Sequence, residues 1–205
     1  MDKRVAIVDL GLGNIGAVAN MLLRAGGVPC LTSNPAELQQ YSKVMLPGVG
    51  SFDTAVTKLD NAGFRDALRQ YVDGGGYLLG ICLGMQLLAD SSEEGVKPGL
   101  GFIPGIVKRF SFDAGSNLKI PHMGWNQIEC AKAHPLVSEL DQLSRFYFVH
   151  SYHFSCLDKN DELLRTQYGY EFSSGVQRNN VMGVQFHPEK SHRYGMQLIK
   201  NFVEI

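Results

Sequence analysis

The stretch from Leu78 to Met85 constrains this chain most. Residues 77–81 form a short apolar run after Gly74, Gly75 and Gly76, and they lead through Gly80-Ile81-Cys82-Leu83-Gly84 into an apolar helical pattern over 85–89. That order reads as a strand, a sharp turn and a helix with a cysteine at the apex. A turn that lifts a nucleophile above a parallel sheet leaves no space for side chains beside it, so Gly80 and Gly84 fit there. The first N–H groups of the helix would face the sulfur, and their partial positive charge favours the thiolate, the reactive form. The same residues also describe an inert buried cysteine on a glycine-rich turn. Partners elsewhere in the chain decide between the two.

The flanking pattern predicts a parallel sheet. Residues 5–10 read as a strand, followed by Gly11 to Gly13 and a helix over 14–25; residues 28–31 and 43–46 are further strands. Asn34-Pro35 opens a short helix, and 52–59 and 64–72 are longer ones. Alternating strands and helices place the chain in the α/β class, with ligands expected at the carboxyl ends of the strands, where Gly13, Gly48 and Cys82 fall. Beyond about residue 95 the texture changes to Gly and Pro between short extended runs at 106–110, 126–130, 145–150, 152–156 and 163–168. These read as largely antiparallel additions to the same sheet. Residues 172–178 and 181–185 make a hairpin around Asn179-Asn180. An amphipathic helix over 191–203, with Tyr194, Leu198, Ile199 and Phe202 at helical spacing and Ser191 as its cap, finishes a single domain over 1–205.

Composition excludes several classes. The chain has 205 residues, 19 Lys+Arg against 20 Asp+Glu, and charge spread without a basic stripe or acidic tail. Nothing in it points to nucleic acid or a membrane surface. The opening Met1-Asp2-Lys3-Arg4 runs straight into a strand without a signal-peptide core, which predicts a cytoplasmic location. Cys30, Cys82, Cys130 and Cys156 lie far apart without Cys-x-x-Cys spacing, and the histidines show no His-Glu-x-x-His spacing, so no metal is expected. Gly11-Leu12-Gly13-Asn14-Ile15-Gly16 is a literal Gly-x-Gly-x-x-Gly, but the second strand ends in Leu31-Thr32-Ser33-Asn34 with no acidic residue for a ribose. It reads as a tight turn, and no cofactor is expected.

His187-Pro188-Glu189 closes a strand-like run and supplies what an elbow cysteine needs. A thiolate nucleophile wants an imidazole as proton partner, and that imidazole wants a carboxylate to fix its tautomer and support its charge. In extended chain His187 and Glu189 would project to the same side and face Cys82 together. Alone, the motif is also compatible with a surface loop.

Gly80-Ile81-Cys82-Leu83-Gly84-Met85-Gln86 together with His187-Pro188-Glu189 resembles the class I glutamine amidotransferases, and the resemblance spans essentially the whole chain. It implies a flavodoxin-like fold, with a mostly parallel central sheet flanked by helices and antiparallel strands added in the C-terminal half. It also implies that Cys82, His187 and Glu189 form a triad that releases ammonia from L-glutamine. The oxyanion hole is expected from the Leu83 N–H and from the turn Pro47-Gly48-Val49-Gly50, with Gly48, Val49 and Gly50 as its donors. Several relatives carry Pro-Gly-Gly at that turn, so Val49 leaves open whether the hole is formed at rest. By the same resemblance Gln86 and Glu94 hold the amino-acid end of glutamine, aided by the backbone of Ser151 and Tyr152.

Within that family, Pro121-His122-Met123-Gly124-Trp125-Asn126, Tyr147-Phe148-Val149-His150-Ser151-Tyr152 and Lys190-Ser191 resemble the glutaminase subunits of imidazole glycerol phosphate synthases. Gly11-Leu12-Gly13-Asn14 and Pro47-Gly48-Val49-Gly50 agree with them. The resemblance implies a heterodimer with a cyclase subunit of (β/α)8 type, which uses the ammonia to make imidazole glycerol phosphate and aminoimidazole carboxamide ribotide in histidine biosynthesis. Trp125, Asn126, Tyr147, Lys190 and Asn14 become the expected contacts with that partner. Two other classes share an elbow cysteine in such a sheet: a cysteine peptidase or stress-response protein, and a catalytically silent regulatory subunit.

Overall fold

The computed structural model describes residues 2–205. Its strands in chain order are β1 (Arg4–Val8), β2 (Val28–Thr32), β3 (Lys43–Gly48), β4 (Tyr77–Cys82), β5 (Ser91–Ser92), β6 (Gly105–Arg109) and β7 (His122–Gln127). They continue as β8 (Glu129–Cys130), β9 (Arg145–His150), β10 (Tyr152–Cys156), β11 (Glu162–Tyr168), β12 (Tyr170–Arg178) and β13 (Val181–Val184). The α-helices are α1 (Ile15–Arg24), α2 (Phe52–Asn61), α3 (Phe64–Asp73), α4 (Leu83–Gln86) and α5 (His192–Glu204).

Eleven strands form one mixed sheet whose main path is β2-β1-β3-β4-β13-β12-β10-β6-β5. From β2 to β13 every pairing is parallel. The change of direction comes at β12, antiparallel to β13, and the antiparallel pattern continues through β10 to β6. Alternation along the strands sends side chains to opposite faces. Val5 and Ile7 of β1, Met45 of β3 and Leu79 and Ile81 of β4 share a core with α1 and α5 residues such as Leu22, Leu198 and Phe202. Ala6, Val8, Val44, Leu46 and Leu78 face the other way, onto Phe52, Leu59, Phe64 and Leu68 of α2 and α3. Strands covered on both faces read as continuous apolar runs, as these do.

Capping fixes where several elements begin. The Asn14 side chain accepts from Ala17 N at 3.1 Å and starts α1. Two residues, Asn179 at φ 52° and Asn180, link Arg178 to Val181 in the expected hairpin.

Several expectations are corrected. β3 runs on through Pro47 to Gly48, pairing with Ile81 and Cys82, where a turn was expected. The helix after the cysteine starts at Leu83 and spans only four residues, not 85–89. A single turn sums few peptide dipoles, so its field at the sulfur is small. The run 126–130 is split: β7 pairs with β9 in a separate two-stranded sheet, while β8 pairs with β11. Ile128, 4% exposed, lies between them and turns into the core. Ser191 stands at the start of α5 without capping it. Its Oγ instead donates to His187 O at 2.6 Å and accepts from Tyr147 N at 3.0 Å.

Candidate active site

Three neighbouring parallel strands, β3, β4 and β13, end side by side, so the residues at their carboxyl ends converge. Gly48 pairs with Cys82 in register. Beyond Val184 the chain carries Gln185, Phe186 and His187 across the same edge. The elbow is built from contacts that only glycine permits. A Cβ on Gly80 would lie 2.5 Å from Gly84 O, and one on Gly84 would lie 1.7 Å from Leu46 O. Cys82 itself sits at φ 55°, a strained backbone of the kind that persists where surrounding structure enforces it. It is 7% exposed.

His187 Nδ1 and Glu189 Oε1 are 2.7 Å apart, and both side chains are buried. The expected extended stretch is absent here: Pro188–Lys190 is a turn of 3₁₀ helix, which folds the carboxylate back onto its own imidazole. Glu189 therefore faces His187, and only His187 is turned toward Cys82. Nε2 of His187 and Oε2 of Glu189 complete no hydrogen bond. Burial alone would push the imidazole down, but the Cys82 sulfur beside it and the Glu189 carboxylate outweigh that and push it up to about 9. The His187 backbone is clamped as well, its N–H donating to Tyr147 O at 2.9 Å and its carbonyl accepting from Ser191 Oγ.

A cavity of about 370 Å³ opens over the sulfur, lined by Val49, Cys82, Gln86, Glu94, Tyr152 and His187 among others. Leu83, Gly50, His150 and Ser151 also reach it. That volume suits a small polar molecule. Gln86 donates through Nε2 to Tyr152 O at 3.1 Å and to Gln185 Oε1 at 3.0 Å, which leaves its own Oε1 as an acceptor for a ligand. Glu94 reaches the cavity, yet its Oε2 accepts from Phe52 N at 2.8 Å and caps α2, whose Ser51 makes no side-chain cap. Larger hollows lie elsewhere, one beside Asn126 and Arg165 and one beside Lys132 and His134, but neither holds the elbow cysteine.

Residue patterns singled out Cys82 and His187. They did not reveal Gln185, fully buried, whose Nε2 points at Cys82 Sγ from 3.9 Å. Its position two before His187 on an extended run was the available signal. The rings of His122 and His150 were likewise read only for metal spacing. Of the expected partner contacts, Trp125 is 44% exposed, Asn14 and Lys190 are exposed, and Asn126 and Tyr147 are half-buried. Lys190 Nζ stands 5.6 Å over the Tyr147 ring.

The family model for class-I glutamine amidotransferases matches residues 6–205. This chain belongs to that family. The amidotransferase is 47% identical over 201 residues to imidazole glycerol phosphate synthase subunit HisH 2 of Methanococcus maripaludis, covering 98% of each chain. It is 45% identical to the protein of the same description from Pseudomonas aeruginosa, over 98% of this chain and 99% of that one. Among solved structures, PurLQS from Thermotoga maritima superposes with a TM-score of 0.72 at 18% identity, covering 100% of this chain and 98% of that one. At that identity the likeness concerns the fold. It carries the doubly wound, part-antiparallel architecture of the amidotransferase.

Proposed function

We propose that this chain is the glutaminase subunit of an imidazole glycerol phosphate synthase, in which Cys82, His187 and Glu189 hydrolyse glutamine and the ammonia passes to a cyclase subunit of (β/α)8 type. The observation that carries the chemistry is the buried His187–Glu189 pair at 2.7 Å, whose free Nε2 shares one cavity with a cysteine on a glycine elbow. Near-full-length identity to HisH subunits supports the biological role.

The residues account for each step. Cys82 Sγ attacks the side-chain carboxamide carbon of glutamine, and the carbonyl π electrons move onto oxygen. The oxyanion lies between the N–H of Leu83 and the peptides of Gly48, Val49 and Gly50, each such donor typically contributing about 10² to 10³ in rate. His187 Nε2–H gives its proton to the leaving nitrogen, the C–N bond breaks, and ammonia departs from a γ-glutamyl thioester. His187, now neutral, takes a proton from water as its oxygen attacks the thioester, and glutamate leaves with the sulfur restored. Glu189 supports the imidazolium throughout. Gln86 Oε1, Glu94 and the Ser151 and Tyr152 backbone are assigned the amino-acid end of the substrate.

The HisH relatives are named as subunits of a synthase, so the ammonia is assigned to a second protein, in the cytoplasm. Trp125, Asn126, Tyr147, Lys190 and Asn14 are assigned to that interface. The test is glutamate release by the purified chain alone, with the cyclase, and with the cyclase plus its ribotide substrate. A steep rise with the liganded cyclase is expected. Turnover of peptide or glyoxal substrates in place of glutamine would overturn the reading.

A further inference from the structure

Two runs of hydrogen bonds meet at the backbone carbonyl of Tyr152, one reaching it from strand β7 through His122 and His150, the other linking it through Gln86 and Gln185 to Cys82 Sγ. The Tyr152 carbonyl can only accept, so His150, 2.7 Å away, carries its proton on Nδ1. Nε2 of His150 is then an acceptor and takes its bond from His122 Nδ1–H at 2.9 Å. Nε2 of His122 must in turn accept, and Asn126 Nδ2–H supplies it at 3.2 Å. Asn126 is held in that orientation because Nδ2 also donates to Gln167 O and Oδ1 accepts from Gln127 N. Both imidazoles are buried and neutral, as this run requires, with burial pushing His122 down to about 4 and His150 to about 3.

The same carbonyl anchors the run that reaches the nucleophile. Its second bond comes from Gln86 Nε2, which also donates to Gln185 Oε1. That fixes the Gln185 amide with its oxygen toward Gln86 and its nitrogen toward Cys82 Sγ at 3.9 Å. A long N–H···S contact is weak for a thiol and strengthens when the sulfur carries charge.

We propose that Gln185 is a positioning residue that holds the Cys82 sulfur toward the substrate cavity, and that its amide is oriented by Gln86, whose own amide is set by the Tyr152 carbonyl. β7 belongs to a sheet of its own with β9, outside the central sheet. The run from β7 ends at the Tyr152 carbonyl, which accepts from Gln86 independently of His150. The inference deepens the glutaminase reading by naming what sets the nucleophile's geometry.

The test uses alkylation of Cys82 by iodoacetamide, which needs no glutamine, on the full chain alone and with the cyclase. In Gln185→Glu a carboxylate replaces the donor beside the sulfur, and alkylation at pH 7 is expected to slow about tenfold, with its pH–rate midpoint rising by about one unit. Cys30, Cys130 and Cys156 are expected to react as before. The other titratable groups around the sulfur, His187 with Glu189 on one side and Glu94 and His150 across the cavity, are unchanged in this variant. A Cys82 profile within twofold of the parent in folded Gln185→Glu would overturn the positioning role. If Gln185→Glu does not fold, Gln185→Met, which removes the donor without adding charge, replaces it with a smaller slowing expected. Altered alkylation with no glutamate release under any condition would refute the glutaminase reading and leave this inference standing.

Discussion

The α-carbon of Gly84 packs so tightly on β3 that a Cβ there would lie 1.7 Å from the carbonyl oxygen of Leu46. No rotamer relieves a clash with backbone, so strand β3 and the elbow would have to separate. Gly84→Ala is expected to lower stability by at least about 1–3 kcal/mol, the usual range for overpacking, and to abolish glutamate release. Gly26, where an added Cβ would meet nothing within 4 Å but φ is 87°, is the control in which only backbone strain acts. Thermal unfolding of the two alanine variants separates them, and an unchanged melting temperature for Gly84→Ala would contradict the packing argument.

Removing the nucleophile tests the chemistry directly. Cys82→Ala should reduce glutamate release by about 10⁴-fold or more, as loss of a covalent nucleophile does elsewhere. Binding of the cyclase should survive, because the cysteine is 7% exposed at the floor of its cavity. Turnover near the parent value in this variant would remove Cys82 from the mechanism.

The histidines give stability a pH dependence of two signs. His187 is raised from 6.5 to about 9, so its contribution is fully present below pH 6.5 and lost as pH rises through 9. His122 and His150 are lowered from 6.5 to about 4 and about 3, so theirs is present above pH 6.5 and lost as pH falls toward those values. Melting temperature against pH should therefore peak near 6.5 on account of these groups. Glu189→Gln should lower the His187 titration midpoint in NMR and flatten the alkaline limb. An alkaline limb identical to the parent's would show that the pair does not carry it.

Trp125 and Met123 alternate on the outer face of β7 at 44% and 61% exposure. The Trp125 ring lies parallel to His192 at 5.4 Å, with the Arg145 guanidinium 6.0 Å over the ring, and is held in place. Exposed, pre-ordered aromatic residues anchor interfaces, and Trp125→Ala is expected to cost the cyclase complex about 2 kcal/mol, or roughly 30-fold in Kd. Isothermal titration reads this, and an unchanged Kd would move the interface off β7.

Val49 is 43% exposed and faces Gly13, where an added Cβ would sit 3.5 Å from Val49 Cγ2. Val49→Gly widens the backbone conformations open to the peptide assigned to the oxyanion. Glutamate release by the isolated chain is expected to rise by about tenfold, part of the 10² to 10³ typical of one such donor. Unchanged dependence on the cyclase ligand would count against gating at this peptide.

Sequence alone determined the features that depend on neighbours in the chain. The parallel half of the sheet followed from apolar runs that alternate with amphipathic helices. The elbow followed from Gly80 and Gly84, because the absence of a Cβ is a property of the residue itself. The hairpin at Asn179-Asn180 and the cap at Asn14 are likewise local chemistry. Tertiary structure decided what depends on groups distant in sequence. Ser191 left its capping role because Tyr147 N and His187 O, brought together by β9, offered its hydroxyl two partners. Glu94 became a cap because α2 begins against it. Gln185 and Cys82 meet only because β13 inserts beside β4, 103 residues apart in sequence. A donor's direction is fixed by all its partners together, so the contacts from Gln86 through Gln185 to the sulfur had no signature in any single stretch of the chain.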